Sequence, residues 1–132
     1  MLIYNYQANI MIHLDPDFKS LTKKQREITL QSLYVITRHA NDHRISGITQ
    51  LKLVHAIGAS LLGVESTEDH IQYDHTILNS LGSELEGVKD EVKHRLFQLF
   101  TLVELILDPM PEEATETLQQ VANLLKIDDD FI

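Results

Sequence analysis

The sequence predicts an all-α fold: a compact bundle of five or more helices built from two divergent helix-turn-helix repeats, with a short N-terminal segment ahead of them. Three observations carry that prediction. Apolar residues recur at helical spacing from Leu21 to Ile127. Capping residues stand before the apolar stripes, and glycine or proline stands after three of them. Period-two runs of the strand type are absent beyond residue 14. At 132 residues the chain has the length of one domain with a single core.

Residues 1–14 alternate imperfectly between apolar and polar, with Ile10-Met-Ile-His-Leu14 as a dense patch, so this segment reads as a short strand or a docking helix. Asp15-Pro16-Asp17 ends it, because proline fixes φ and removes a donor. Thr22 and Gln25 make a capping box for a first helix carrying Ile28, Val35, Ile36 and Ala40 on one face and running to about 39–43. Ser46 is placed to cap a second helix with an apolar stripe of Leu51, Val54, Ile57, Gly58, Leu61 and Leu62, ended by Gly63. Ser66 and Asp69 open a third helix with Ile71, Ile77, Leu78 and Leu81, which Gly82 is expected to stop. Ser83-Glu-Leu-Glu86 reads as the capping box of a longer helix with Val88, Val92, Leu96, Leu99, Val103 and Ile106 facing inward, its start delayed by Gly87. Pro109 and Pro111 break that helix. Pro111 suits the first turn of a last one, where Glu112 and Glu113 favour the positive end of the dipole and Ala114, Leu118, Val121, Ala122 and Leu125 form the buried face.

The net charge of −9 is unevenly spread: residues 1–63 carry seven Lys/Arg against four Asp/Glu, and residues 64–132 carry four against sixteen. The acidic half repels phosphate backbones, which argues against nucleic acid as a partner, and it attracts cations or a basic protein. No run reaches the roughly 18 apolar residues of a membrane span, so integral membrane insertion is not expected. Met1-Leu-Ile-Tyr-Asn-Tyr lacks the basic start of a secretory signal, and the chain has no cysteine for disulfides or thiolate zinc sites. These features point to a soluble, cytoplasmic protein.

Two stretches match when aligned: repeat one at about 22–64 and repeat two at about 88–127 of a single domain spanning 1–132. Leu61-Leu-Gly-Val64 lies opposite Leu124-Leu-Lys-Ile127, Asn41-Asp42 opposite Asp108-Pro109, and Thr49-Gln50 opposite Glu112-Glu113. The stretch from Leu105 to Ile127, with Asp108 in its turn, Glu112-Glu113 at its helix start and Leu124-Leu-Lys-Ile127 at its close, resembles a repeat of the TerB-like (tellurite-resistance) helical family. His39-Ala-Asn-Asp42 looks like a second, more divergent copy of the same turn. The resemblance implies an all-helical domain made of two related hairpins, which often acts as a module near membranes or in stress-response assemblies. In some members the acidic turns are thought to bind a divalent metal, which maps here onto Asp108, Glu112 and Glu113, and onto Asp42 in the first copy. Thr49 and Gln50 replace the acidic pair there, and the glycine that usually follows the turn acid is missing after Asp108.

Read on their own chemistry, Asp108, Glu112, Glu113 and Glu116 are oxygen ligands of the kind Mg²⁺ or Ca²⁺ requires, and helix capping is the competing explanation. Asp128-Asp-Asp130 is denser but reads as the acidic start of a further helix. His39 and His43, at i and i+4 beside Asp42, have transition-metal spacing; His and Arg44 at a helix C-terminus are also what the dipole favours, and this second explanation is preferred. Asp69-His70 and Asp74-His75 read as a solvated helix face, and His55 as a hydrogen-bonded histidine on an apolar stripe. No nucleophile elbow, phosphate loop or zinc-protease motif organises these groups. The expectation is a non-enzymatic helical module that binds a protein partner. A divalent-cation-binding protein is the alternative and a small hydrolase a distant third, with peripheral membrane association and a homodimer left open.

Overall fold

Among the described residues, the helical periodicity after Leu21 is realised in the computed structural model as five helices. They are α1 (Lys23–Ile36), α2 (Ile45–Ser60), α3 (Thr76–Glu84), α4 (Asp90–Leu105) and α5 (Glu112–Leu124). The structure describes residues 4–5, 10–37, 45–64, 76–106 and 112–127, without the side chains of 4–5, 10–11 and 45–48. The N-terminal segment takes the strand alternative. β1 (Tyr4–Asn5) pairs antiparallel with β2 (Ile10–Met11), Tyr4 opposite Met11 and Asn5 opposite Ile10. Asp15-Pro16-Asp17 then closes the segment as a 3-10 turn over Pro16–Phe18: the Asp15 carboxylate accepts from the Asp17 N–H at 2.9 Å, and Phe18 is buried.

This N-terminal stretch finishes α2. A helix leaves its last carbonyls without intrahelical donors. The His13 N–H donates to the Ala59 carbonyl (2.6 Å), the Asp15 N–H to Leu61 (2.8 Å), and Arg26 Nη1 to Leu62 (2.9 Å). Gly63 turns the chain out of the helix at φ 61°, and a Cβ there would lie 3.0 Å from the Leu14 Cβ, so the close approach also calls for glycine. The end of α5 matches: Lys126 stands at φ 56°, the Ile127 N–H bonds the Ala122 carbonyl (2.9 Å), and the Lys126 N–H bonds Asn123 (3.2 Å), a Schellman close. Around Gly63 the pattern is one residue wider, with the Val64 N–H on Gly58 (2.9 Å), while the Ala59 carbonyl accepts from His13.

α1 lies at the centre and packs on α2, α3 and α4, while α5 covers α3 and α4. Its capping box forms as the sequence predicts. The Gln25 N–H donates to Thr22 Oγ1 (3.1 Å), and the Thr22 N–H to Gln25 Oε1 (2.8 Å). Leu33, Ile36, Leu62, Leu78, Leu81, Leu85, Leu96, Phe100 and Leu125 are fully buried and fill the space between the helices.

Several boundaries differ from the sequence expectation. α1 ends at Ile36 with Thr37 as its C-cap, short of 39–43. Ser46 lies inside the first turn of α2, which begins at Ile45. Gly82 does not stop α3. It sits within the helix where α5 passes close by, a Cβ there being 3.2 Å from Leu124 Cδ2. Ser83 therefore belongs to α3, its Oγ donating to the Ser80 carbonyl (3.1 Å), and does not cap α4. α4 begins at Asp90, where Asp90 and Glu91 complement the dipole and Lys89, the N-cap residue, makes no side-chain cap.

Candidate functional site

Of the residues singled out in the sequence, His39, Asp42, His43, Arg44, Asp69, His70, Asp74, His75, Asp108 and the Asp128–Asp130 run lie outside the described residues. Glu112 and Glu113 occupy the first turn of α5 and are exposed, as is Glu116 one turn on. Among the described residues no three His, Asp or Glu side chains come together as a metal site would need. His55 stands on α2 as a hydrogen-bonded, half-buried histidine: its Nδ1 is 2.6 Å from the Tyr34 hydroxyl, with the two rings edge to face at 5.3 Å.

The polar centre that the structure brings together is a different one, Gln50 on α2 with Glu104 on α4. Both are fully buried, at 0% exposure. Gln50 sits four residues before the buried Val54, and Glu104 four residues after the buried Phe100, so each polar side chain shares the inward stripe of its helix. One amide nitrogen serves two acceptors: Gln50 Nε2 donates to the Val103 carbonyl at 3.0 Å and to Glu104 Oε1 at 3.1 Å. The Val103 carbonyl is among the last of α4, so Gln50 also closes the end of that helix.

The arrangement leaves Gln50 Oε1 and Glu104 Oε2 buried with no hydrogen-bond partner among the described residues. A buried acceptor without a donor costs about 1–3 kcal/mol, and an unpaired buried charge costs more. Burial pushes the Glu104 carboxyl from its ordinary 4.5 up to about 8, the Gln50 hydrogen bond acting in the opposite sense. At neutral pH Glu104 is therefore mainly a protonated acid, which carries an O–H donor where a carboxylate carries none. The sequence signal for this centre was an acid inside the otherwise apolar run Leu102-Val-Glu-Leu-Ile106.

The outer face of α4 has a separate character. At its N-terminal half, Asp17, Glu91, Val92, His94, Arg95 and Gln98 line a depression of about 360 Å³. Asp17 and Arg95 meet across it at 3.9 Å with both side chains more than half exposed, an ion pair worth little. Along the C-terminal half the face turns apolar: Leu102 is 48% exposed and Leu105 64%.

Comparison with known proteins finds no matching family model, no matching curated protein and no matching solved structure.

Proposed function

We propose that this chain is a non-enzymatic helical module that recognises another protein through the C-terminal half of the outer face of α4. The observation that carries the reading is the pair Leu102 and Leu105, 48% and 64% exposed. A single exposed leucine is ordinary on any protein surface. Two at i and i+3 make a continuous apolar ridge, the form in which one helix anchors a partner. The charge of the C-terminal half of the chain selects the partner's character. Residues 64–132 carry sixteen acidic against four basic side chains, and Glu112, Glu113 and Glu116 are exposed on the following helix. A partner offering apolar side chains with basic flanks suits such a surface.

The reading also draws on the resemblance of 105–127 to a TerB-like repeat. By that analogy the module belongs to a cytoplasmic, stress-response setting of the tellurite-resistance kind. The test is capture from a native lysate with the wild-type chain and with Leu102→Glu/Leu105→Glu, whose substitutions fall on exposed positions and leave the core intact. The expected outcome is a protein retained by the wild type and lost from the variant. Identical sets retained by both chains would overturn the assignment of this face.

A further inference from the structure

The α2–α4 crossing holds a device that the proposed binding face does not use. Gln50 spans the crossing with one amide nitrogen on both Val103 O and Glu104 Oε1, and so ties the last turn of α4 to α2. Beside those bonds, Gln50 Oε1 and Glu104 Oε2 are buried acceptors without a donor among the described residues. A neutral carboxyl carries an O–H and satisfies part of that deficit. A carboxylate supplies no donor and adds a charge at the C-terminal, negative end of the α4 dipole.

Among the described residues, no cation is in place to hold such a charge. On α1, Lys23 pairs with Glu27, Lys24 with Glu84, and Arg26 serves the Leu62 and Gly63 carbonyls. On α2, Lys52 is exposed and His55 is bonded to Tyr34. On α5, Glu112, Glu113 and Glu116 are exposed acids. Asp17 of the 3-10 turn pairs with Arg95. The charged residues of α4 itself, Asp90, Glu91, Lys93, His94 and Arg95, lie in its first two turns, about 13 Å or more along the axis from Glu104.

We propose that Glu104 and Gln50 form a proton-operated latch between α2 and α4, closed while the Glu104 carboxyl keeps its proton and released at the last turn of α4 when the proton leaves. Release delivers the carboxylate to water by unwinding a helix end, where fewer hydrogen bonds must break than anywhere else along α4. The raised proton affinity of Glu104, caused by burial, puts the transition at mildly alkaline pH.

Hydrogen exchange on the full chain, corrected for the intrinsic pH dependence of exchange, tests the latch in the wild type and in Glu104→Gln. The variant keeps the shape of the side chain, cannot ionise, and keeps an amide oxygen as acceptor for Gln50 Nε2 while adding N–H donors. In the wild type, protection of the amides of 102–105 is expected to lie below that of Leu78 and Leu81 and to fall by about tenfold or more from about pH 6.5 to about pH 9.5. In Glu104→Gln that fall is expected to disappear. An equal fall in the variant would overturn the proposal. So would wild-type amides of 102–105 protected no less than Leu78 and Leu81, since ionisation would then act on the whole molecule with no local release. If the variant does not fold, a ¹³C titration of the wild-type Glu104 carboxyl decides. A midpoint coinciding with the loss of protection supports the latch, and one in the ordinary carboxylate range overturns it.

Discussion

Gly63 and Lys126 occupy the same backbone region, at φ 61° and 56°, yet substitutions there are expected to act in opposite directions. A left-handed conformation costs a residue with a Cβ roughly 1–2 kcal/mol. Lys126 is exposed and bears that strain, so Lys126→Gly removes it. The added freedom of glycine in the unfolded chain takes back about 0.4–1 kcal/mol, and the expected net gain is about 0.5–1 kcal/mol. Gly63→Ala acquires the same strain and a second cost, because its Cβ would sit 3.0 Å from Leu14 Cβ and 3.3 Å from Leu14 Cα. The second atom is backbone, held in place by the bridge of Leu14 to Leu62, and it cannot swing aside as a side chain would. The expected loss is about 2 kcal/mol or more. Urea midpoints of the two variants check both signs, and a destabilised Lys126→Gly would contradict the strain argument.

At the scale of helices, the start of α1 tests how local signals become tertiary ones. Thr22→Ala removes one side of the capping box and is expected to cost about 1 kcal/mol. Gln25→Ala is expected to cost more, because Gln25 Oε1 accepts from the Thr22 N–H while Nε2 donates to the Glu84 carbonyl at the end of α3, 2.9 Å away. Equal losses in the two variants would mean that the α1–α3 bond contributes nothing. The capping half of this arrangement was legible in the sequence because both partners stand three residues apart. The half that reaches Glu84 crosses 59 positions and leaves no local trace. The same limit explains Gly82, which has the composition of a helix stop and serves instead as the point where Leu124 of α5 passes within 3.2 Å of a would-be Cβ. It also explains the candidate site. Helical period predicts that positions 50 and 104 face inward, since they follow the spacing of Val54 and Phe100, but their meeting across 54 residues is set by how α2 crosses α4. The buried face of α5 was readable for the opposite reason: Ala114, Val121, Ala122 and Leu125 repeat within one helix and need no partner to be recognised.

For the molecule as a whole, the buried acid makes stability depend on pH in a direction opposite to that of a salt-bridged carboxylate. Glu104 has an ordinary pKa of 4.5 and a folded value of about 8, raised by burial. Below about pH 4.5 both states hold the proton, and Glu104 contributes no pH dependence. Between the two values the unfolded chain gives up the proton and the folded chain keeps it, so the folded state binds more protons and unfolding becomes easier as pH rises. Each pH unit in that window is worth about 1.4 kcal/mol, an upper bound on the order of 5 kcal/mol over the whole span. Above about pH 8 both states are ionised and the loss levels off. The chain also carries a net charge of −9, whose self-repulsion grows with pH, so the wild-type curve alone mixes two effects. Glu104→Gln separates them, because it keeps nearly all of the surface charge and removes the ionisation of Glu104. Urea unfolding of both chains at intervals from about pH 5 to about pH 9.5 is expected to give a wild-type stability that falls relative to the variant up to about pH 8 and then runs parallel to it. The latch limits the depth of that fall. Once opening the last turn of α4 costs less than keeping the carboxylate buried, the folded state relaxes by local release and loses no further stability. A fall well short of 5 kcal/mol, accompanied by early exchange at 102–105, is therefore the expected result, and curves that stay parallel from pH 5 upward would show that Glu104 is ionised in the folded chain throughout.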